Sequence, residues 1–369
     1  MKQRFSALTG LRAIAAMLIF CFHFRKFWLA HLPKIFTLIL KECHIGVSIF
    51  FVLSGFLIAY TYQDKPLGSK REYVKYLAIR LVRIFPVYLL ILTVKYLDQG
   101  FPSPKETVLN YTLLKGFSDK YNLSGIPQSW SLTVELTFYV LAPLIWSLAK
   151  QRLRRPLIYL SGLLLGAWLL GLIPHLFGYN KDSWLYNFQF ILDSTFFGRW
   201  VEFYMGIVLA FVVQRKDAAW SPQPGTRFTW TGSIGVLASC FLIGCFGEHF
   251  YNPGTSVIPG ILVRNLILPV FVAVLLYGLI IEKNGLQRIL GSRLFVLLGN
   301  ASYIFYLIHI NYGYALLARI KVFPDYNFTF LWLVSIVGYL LFEKPVYNVA
   351  RKYINGERRP VLNPAKSLR

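Results

Sequence analysis

Ten long apolar stretches, parted by short basic segments, leave this chain few ways to fold. They cover 6–26, 44–62, 78–97, 130–149, 156–174, 197–214, 229–247, 258–281, 297–317 and 327–345. About 20 apolar residues wound as a helix cross the hydrocarbon core of a bilayer, and a helix satisfies its own backbone hydrogen bonds there. Only 15% of the residues are charged, and the mean hydropathy is +0.52, against the composition of a soluble protein of 369 residues. The expected fold class is therefore all-α, a polytopic membrane protein of about ten transmembrane helices.

The charge sets the expected orientation. The formal net charge is +23. The basic residues lie between the apolar runs without interleaved stacking aromatics, so they point to topology, membrane-surface contact and an anionic ligand, not to nucleic acid. With the N-terminus in the cytoplasm, 25 of the 39 lysines and arginines fall on the cytoplasmic side, among them Lys2, Arg4, Lys65 and Lys216. Both termini are then cytoplasmic by the positive-inside rule. Three arginines remain at membrane depth: Arg12, Arg199 and Arg264. Residues 1–347 read as one transmembrane domain and 348–369 as a basic cytoplasmic tail, either lying on anionic lipid or solvated. Lys2 and Arg4 precede an apolar run too long for a signal peptide, so the first run is expected to stay as a helix. Cys21, Cys43, Cys240 and Cys245 lack metal-ligand spacing and read as small core residues.

Ionisable residues inside apolar spans are costly and mark functional positions. Arg12 and His23 are eleven residues apart in the first span. That separation is three helical turns plus roughly 20°, so both lie on one face, about 16 Å apart along the axis. Such a spacing suggests a site with a cationic anchor at one end and a titratable base at the other. Glu135, near the start of the fourth span, has a depth similar to that of His23 and can pair with it, giving an imidazole–carboxylate general base. It can equally serve as a structural partner for Arg199 or Arg264. Arg80 and Arg83 share a helix face at the start of the third span and can clamp phosphates, although positive-inside flanking places arginines there too. Arg199 and Glu202, at i and i+3, read first as a self-neutralising pair. His309, in the ninth span, reads either as a hydrogen-bonded core histidine or as a substrate contact. Gly46 to Phe56 is rich in small residues suited to close helix packing, with Ser54 a distant candidate for a nucleophile.

An ordered set of short blocks carries a family resemblance. It opens with Leu8-Thr-Gly-Leu-Arg12 followed by His23, and continues with Gly46-Val-Ser-Ile-Phe-Phe-Val-Leu-Ser-Gly-Phe. Arg80-Leu-Val-Arg83-Ile-Phe-Pro-Val-Tyr88, Trp130-Ser-Leu-Thr-Val-Glu135, and Arg199 with Glu202 and Gly206 follow in order. Gly299-Asn-Ala-Ser-Tyr, Tyr306-Leu-Ile-His309 and Glu343-Lys-Pro345 close the series. Over nearly its whole length the chain resembles the acyltransferase-3 family of integral membrane O-acyltransferases. Two departures stand out: Thr9 occupies a position where many members carry an acidic residue, and no esterase-like SGNH domain follows, which implies a stand-alone enzyme.

The resemblance implies acyl-CoA as co-substrate, with acetyl the expected acyl group, no metal, and a carbohydrate or glycolipid acceptor, in a bacterial inner membrane. It implies that Arg12, Arg80 and Arg83 bind the donor, and that His23 with Glu135 performs the chemistry. Arg199, Glu202 and His309 are then expected around the acceptor. Direct transfer and an acyl-enzyme relay both fit, and the sequence names neither acceptor nor oligomeric state. The rival reading is a proton-coupled transporter of an anionic or sugar solute, built on the same intramembrane charges. A passive assembly scaffold, the third reading, predicts that those charges are replaceable.

Overall fold

The computed structural model describes residues 5–25, 32–62, 69–176, 185, 187–215, 222–247, 255, 257–310, 315 and 327–356. Lys2, Arg4, Lys26, Lys65, Lys216 and the tail beyond Gly356 lie outside them. The described chain is built of helices: α1 (Ser6–His23), α2 (Gly46–Tyr62), α3 (Lys70–Gln99), α4 (Trp130–Gln151), α5 (Arg154–Leu176), α6 (Phe196–Gln214), α7 (Arg227–Cys245), α8 (Leu268–Ile281), α9 (Arg293–Ile308), α10 (Asn327–Gly338) and α11 (Lys344–Asn355). Nine helical segments among the described residues are long and apolar enough to cross a bilayer, and α9 is a shorter apolar helix. The protein is an all-α polytopic membrane protein, as its apolar runs require. Among the described residues, Gln223–Pro224 and Glu282–Lys283 form a two-residue parallel pair. There the Glu282 carboxylate accepts from the backbone N–H groups of Phe228 and Thr229 at 2.8 and 2.9 Å, capping α7.

Several boundaries differ from the hydropathy reading, each for a local reason. The third run was expected over 78–97, but α3 begins at Lys70 because Ser69 caps it by accepting from the Glu72 N–H. Its 30 residues span about 45 Å at 1.5 Å each, more than the apolar core of a bilayer. The ninth run was expected over 297–317, whereas α9 starts at Arg293, capped by Ser292, and ends at Ile308. The expected boundary at 347/348 falls inside a helical segment, Phe328–Asn355, that runs on through a π-helical turn at Tyr339–Glu343, just before Pro345.

The centre of the bundle is the packing of α2 against α6. A Cβ added at Gly55 would strike the Phe203 carbonyl, and one added at Gly206 would strike the Val52 carbonyl. The two backbones therefore touch, as expected of the small residues in this stretch. Phe51, Phe138 and Phe203 stack beside this contact with ring centroids 4.6 and 4.3 Å apart. Against it lie α1 and α9, where Gly299 abuts the Thr9 carbonyl. Gly10 and Arg12 on α1 are thereby set beside the helix that ends at His309. Of the cysteines, Cys43 and Cys240 are buried, Cys21 is half-buried and Cys245 is exposed.

Residues 98–129, expected as a loop, are folded. Ser103 caps a helix over Pro104–Tyr111, and 3-10 turns follow at Leu114–Phe117 and Pro127–Ser129. Lys115 holds the segment together. Its side chain is fully buried and donates to the Ser124 carbonyl and, at 2.8 Å, to the Ile126 carbonyl. Lys95 donates to the Gly125 carbonyl between them. Burial, with the Lys95 charge adding to it, pushes the Lys115 ammonium down to about 7. An unfolded lysine titrates near 10.5, so between about 7 and 10.5 the unfolded chain binds the extra proton. Stability therefore rises with pH across that window, and the penalty is complete below it. The melting temperature of the purified protein should climb from pH 7 to pH 9. Lys115→Met should flatten that slope while lowering the melting temperature at every pH, because two buried carbonyls lose their donor.

Candidate active site

Two cavities meet inside the bundle. The first is lined by Arg12, Ser54, Arg80, Arg83, Glu135 and Tyr139, drawn from α1 to α4. Glu135 accepts from the Ser54 hydroxyl at 2.6 Å and from the Tyr139 hydroxyl at 2.5 Å. Arg80 lies 5.0 Å from the Tyr62 ring centroid and 5.9 Å from that of Tyr76, and its buried Nε has no hydrogen-bond partner. Arg12 sits 5.9 Å from the Phe50 centroid, with Arg83, Glu343 and Glu135 as its charged neighbours. Arginines near these cavities pair with carboxylates at Arg199–Glu202 and Arg264–Asp193, and Arg12, Arg80 and Arg83 take part in neither pair. With Glu135 in the lining and Glu343 close to Arg12 and Arg83, the first cavity sets three guanidiniums against two carboxylates, a net positive site suited to an anion.

The second cavity is larger, and its polar lining includes His23, His44, Gln128, Asp193, Arg199 and Arg264. Val47 and Tyr306 line both cavities, so the two share a wall. His23 closes α1 with its Nδ1 2.9 Å from the Ile19 carbonyl and 3.0 Å from Nε2 of His309. His309, fully buried at the end of α9, places its Nδ1 2.8 Å from the Tyr306 carbonyl. The His309 ring stacks nearly parallel to Phe305, at 6°.

Six of the eight residues singled out in the sequence line these cavities, while Glu202 and His309 stand behind Arg199 and His23 and line neither. Arg12 and His23 lie on one continuous helix, the first at one cavity and the second at the other. Arg80 and Arg83 join Arg12. The expected pairing of Glu135 with His23 is not formed: Glu135 faces Ser54 and Tyr139 in the first cavity, and the ring partner of His23 is His309. Depth alone suggested that pair. Glu135 lies five residues into α4, about 8 Å along its axis, and faces α2. Glu135 is likewise not the partner of Arg199 or Arg264. Arg199 binds Glu202 through two bonds of 2.6 and 2.8 Å, donates to Ser48 at 3.1 Å, and lies over the Phe51 and Trp130 rings. This is the self-neutralising pair that its i, i+3 spacing suggested.

Sequence reasoning missed Asp193, His44 and Gln128. Asp193 pairs with Arg264, whose Nε donates to Asn265 at 3.0 Å within a π-helical turn, Val263–Ile267. Asp193 precedes the sixth run as hydropathy drew it, yet the apolar helical segment starts at Phe188. The unmatched charge of Arg264 was the signal for a carboxylate nearby. Gln128 donates through Nε2 to the Tyr306 and Leu307 carbonyls at 3.2 and 2.7 Å, and the Tyr306 hydroxyl returns a bond to the Gln128 carbonyl at 2.7 Å. The segment before α4 is thus fastened to the helix that carries His309.

A family model described as an acyltransferase domain matches residues 5–342. Acyltransferase MdmB of Streptomyces mycarofaciens is 26% identical over 342 residues, covering 85% of this chain and 81% of that protein. A putative acetyltransferase, ORF330, of Acidianus two-tailed virus is 25% identical over 272 residues, 72% of each chain. O-acetyltransferase OatA of Staphylococcus aureus is 22% identical over 328 residues, 82% of this chain and 49% of that protein, so this chain spans about half of OatA. No solved structure matches. With the family match running from the start of α1 to the end of the π-helical turn before α11, the chain belongs to the acyltransferase-3 family of integral membrane acyltransferases.

Proposed function

We propose that this acyltransferase moves an acyl group, acetyl in the simplest case, from acyl-CoA to a hydroxyl of a carbohydrate or glycolipid. One observation carries the reading: a cavity of three arginines and a cavity opening on a histidine lie on opposite sides of the wall made by Val47 and Tyr306. The donor is a polyphosphate with a long neutral arm ending in a thioester. Arg80, Arg83 and Arg12 hold the phosphates; Arg80, whose Nε is buried without an acceptor, gains one when a phosphate oxygen arrives. The arm then covers the roughly 16 Å between Arg12 and His23.

His23 takes the proton of the acceptor hydroxyl on Nε2 as its oxygen forms a bond to the thioester carbonyl carbon. The carbon–sulfur bond then breaks, and the CoA thiolate leaves and takes up that proton, giving an oxygen ester and free CoA. Glu135 does not orient His23. It fixes Ser54 and Tyr139 on the donor side and balances part of the arginine charge. Arg199 with Glu202, and Arg264 with Asp193, are paired inside the acceptor cavity and shape its wall.

Purified protein in liposomes, given labelled acyl-CoA and glycan fractions, tests the assignment. Label recovered in glycan ester supports it. Solute uptake without acylation would instead support a proton-coupled transporter, and neither uptake nor transfer would support a scaffold.

The orientation is part of the same proposal: both termini cytoplasmic, with the arginine cavity facing the cytoplasmic pool of donor. Reporters fused after Arg369 and within Lys65–Arg71 should both read cytoplasmic. An external reading for either reverses the route of donor entry.

A further inference from the structure

We infer that His309 is a positioning residue for His23: it fixes the tautomer that leaves the Nε2 of His23 bare. This rests on the proposed role of His23 and adds to it the group that prepares the base. The argument is one of donors and acceptors. A backbone carbonyl only accepts, so the Nδ1 of His309, 2.8 Å from the Tyr306 carbonyl, carries a hydrogen. In a neutral ring the Nε2 of His309 is then a lone pair. That lone pair faces Nδ1 of His23 at 3.0 Å, so this nitrogen must carry the hydrogen between them. The Ile19 carbonyl, 2.9 Å from the same nitrogen, shares that hydrogen, so the Nδ1–H of His23 is held by the two acceptors together. Two acceptors thus agree on Nδ1–H for His23, and its Nε2 is left free to accept a proton.

A carboxylate usually performs this duty for a histidine base. Here a neutral ring does it, in a fully buried position where an ion would be costly to hold. The surroundings lock His309 in turn. Its ring stacks on Phe305, and the carbonyl that it binds is also held by Gln128. When His23 gains the hydroxyl proton, its Nδ1–H still points at a lone pair, so the imidazolium is stabilised without a second charged group in the wall.

The substitutions follow from that chemistry. His309→Phe keeps an aromatic ring on Phe305 and removes the acceptor, and the Tyr306 carbonyl retains Gln128 as donor. His309→Gln supplies a carbonyl oxygen that can accept from His23. Nitrogen NMR on the full chain in lipid nanodiscs, with isotope-labelled histidine and His23 identified by its loss in His23→Gln, reads the tautomer directly. The wild type and His309→Gln should carry the His23 hydrogen on Nδ1. In His309→Phe only the Ile19 carbonyl is left to hold that hydrogen, and the share of His23 protonated on Nε2 should rise. In the transfer assay, kcat of His309→Phe should fall about 10–100-fold, with KM for both substrates nearly unchanged and most of kcat restored in His309→Gln.

A wild-type His23 protonated on Nε2, or a tautomer that ignores His309→Phe, overturns the proposal. A fall confined to the KM for acceptor also overturns it, making His309 a substrate contact. A tautomer shift with unchanged kcat upholds the lock and instead removes His23 as the base.

Discussion

His23→Ala should abolish transfer while leaving acyl-CoA binding intact. General-base catalysis is worth about 10²–10⁴-fold in rate, and in this site the base stands at the far end of α1 from the arginines that hold the donor. The loss should therefore lie in kcat, with the donor dissociation constant unchanged. His23→Gln should be nearly as poor, since an amide can hydrogen-bond the hydroxyl but cannot take its proton. The measurement is single-turnover acyl transfer beside equilibrium binding of labelled acyl-CoA, each on protein whose elution as a folded species has been verified. Substantial turnover in His23→Ala would sink the mechanism.

The second large effect is expected at the other end. Arg80→Ala and Arg83→Ala should each weaken acyl-CoA binding about 10–100-fold, the equivalent of one charge-assisted hydrogen bond to phosphate of about 1.5–3 kcal/mol. Arg12→Ala should act in the same direction, and Arg12→Lys should recover only part, because an ammonium cannot replace the guanidinium fork. The saturated rate should fall much less than the donor affinity. Binding should also weaken with added salt in the wild type and less steeply in the variants. Unchanged donor affinity in both Arg80→Ala and Arg83→Ala would reassign these arginines to membrane-surface flanking.

The sequence revealed the spans far better than it revealed the partners. Hydropathy reports depth, and depth was enough to find the helices and to separate Arg12 from His23. It gives no azimuth. Glu135 looked level with His23, yet it lies about 8 Å into α4, in the cavity of Arg12, with its carboxylate turned to Ser54 on α2. The true ring partner of His23 lies 286 residues away, at the end of a helix with its own apolar signature, and no local pattern links them. Where partners were local, the reading was correct: Arg199 and Glu202 are three apart and bind each other. The segment from 98 to 129 was opaque for another reason. Its order comes from Lys95 and Lys115 donating to carbonyls up to 30 residues away, and a lysine in a polar stretch looks like any solvated lysine.

The wall of Val47 and Tyr306 carries a physiological consequence. An acyl group crossing the bilayer by a route open from end to end would let water, and protons behind it, follow down the membrane potential. Because the cavities abut at these side chains, the proposed mechanism needs only the slim acyl-bearing tip of the donor to pass between them. On that mechanism a cell could decorate its exterior with groups drawn from central metabolism without discharging the gradient that powers the rest of its membrane.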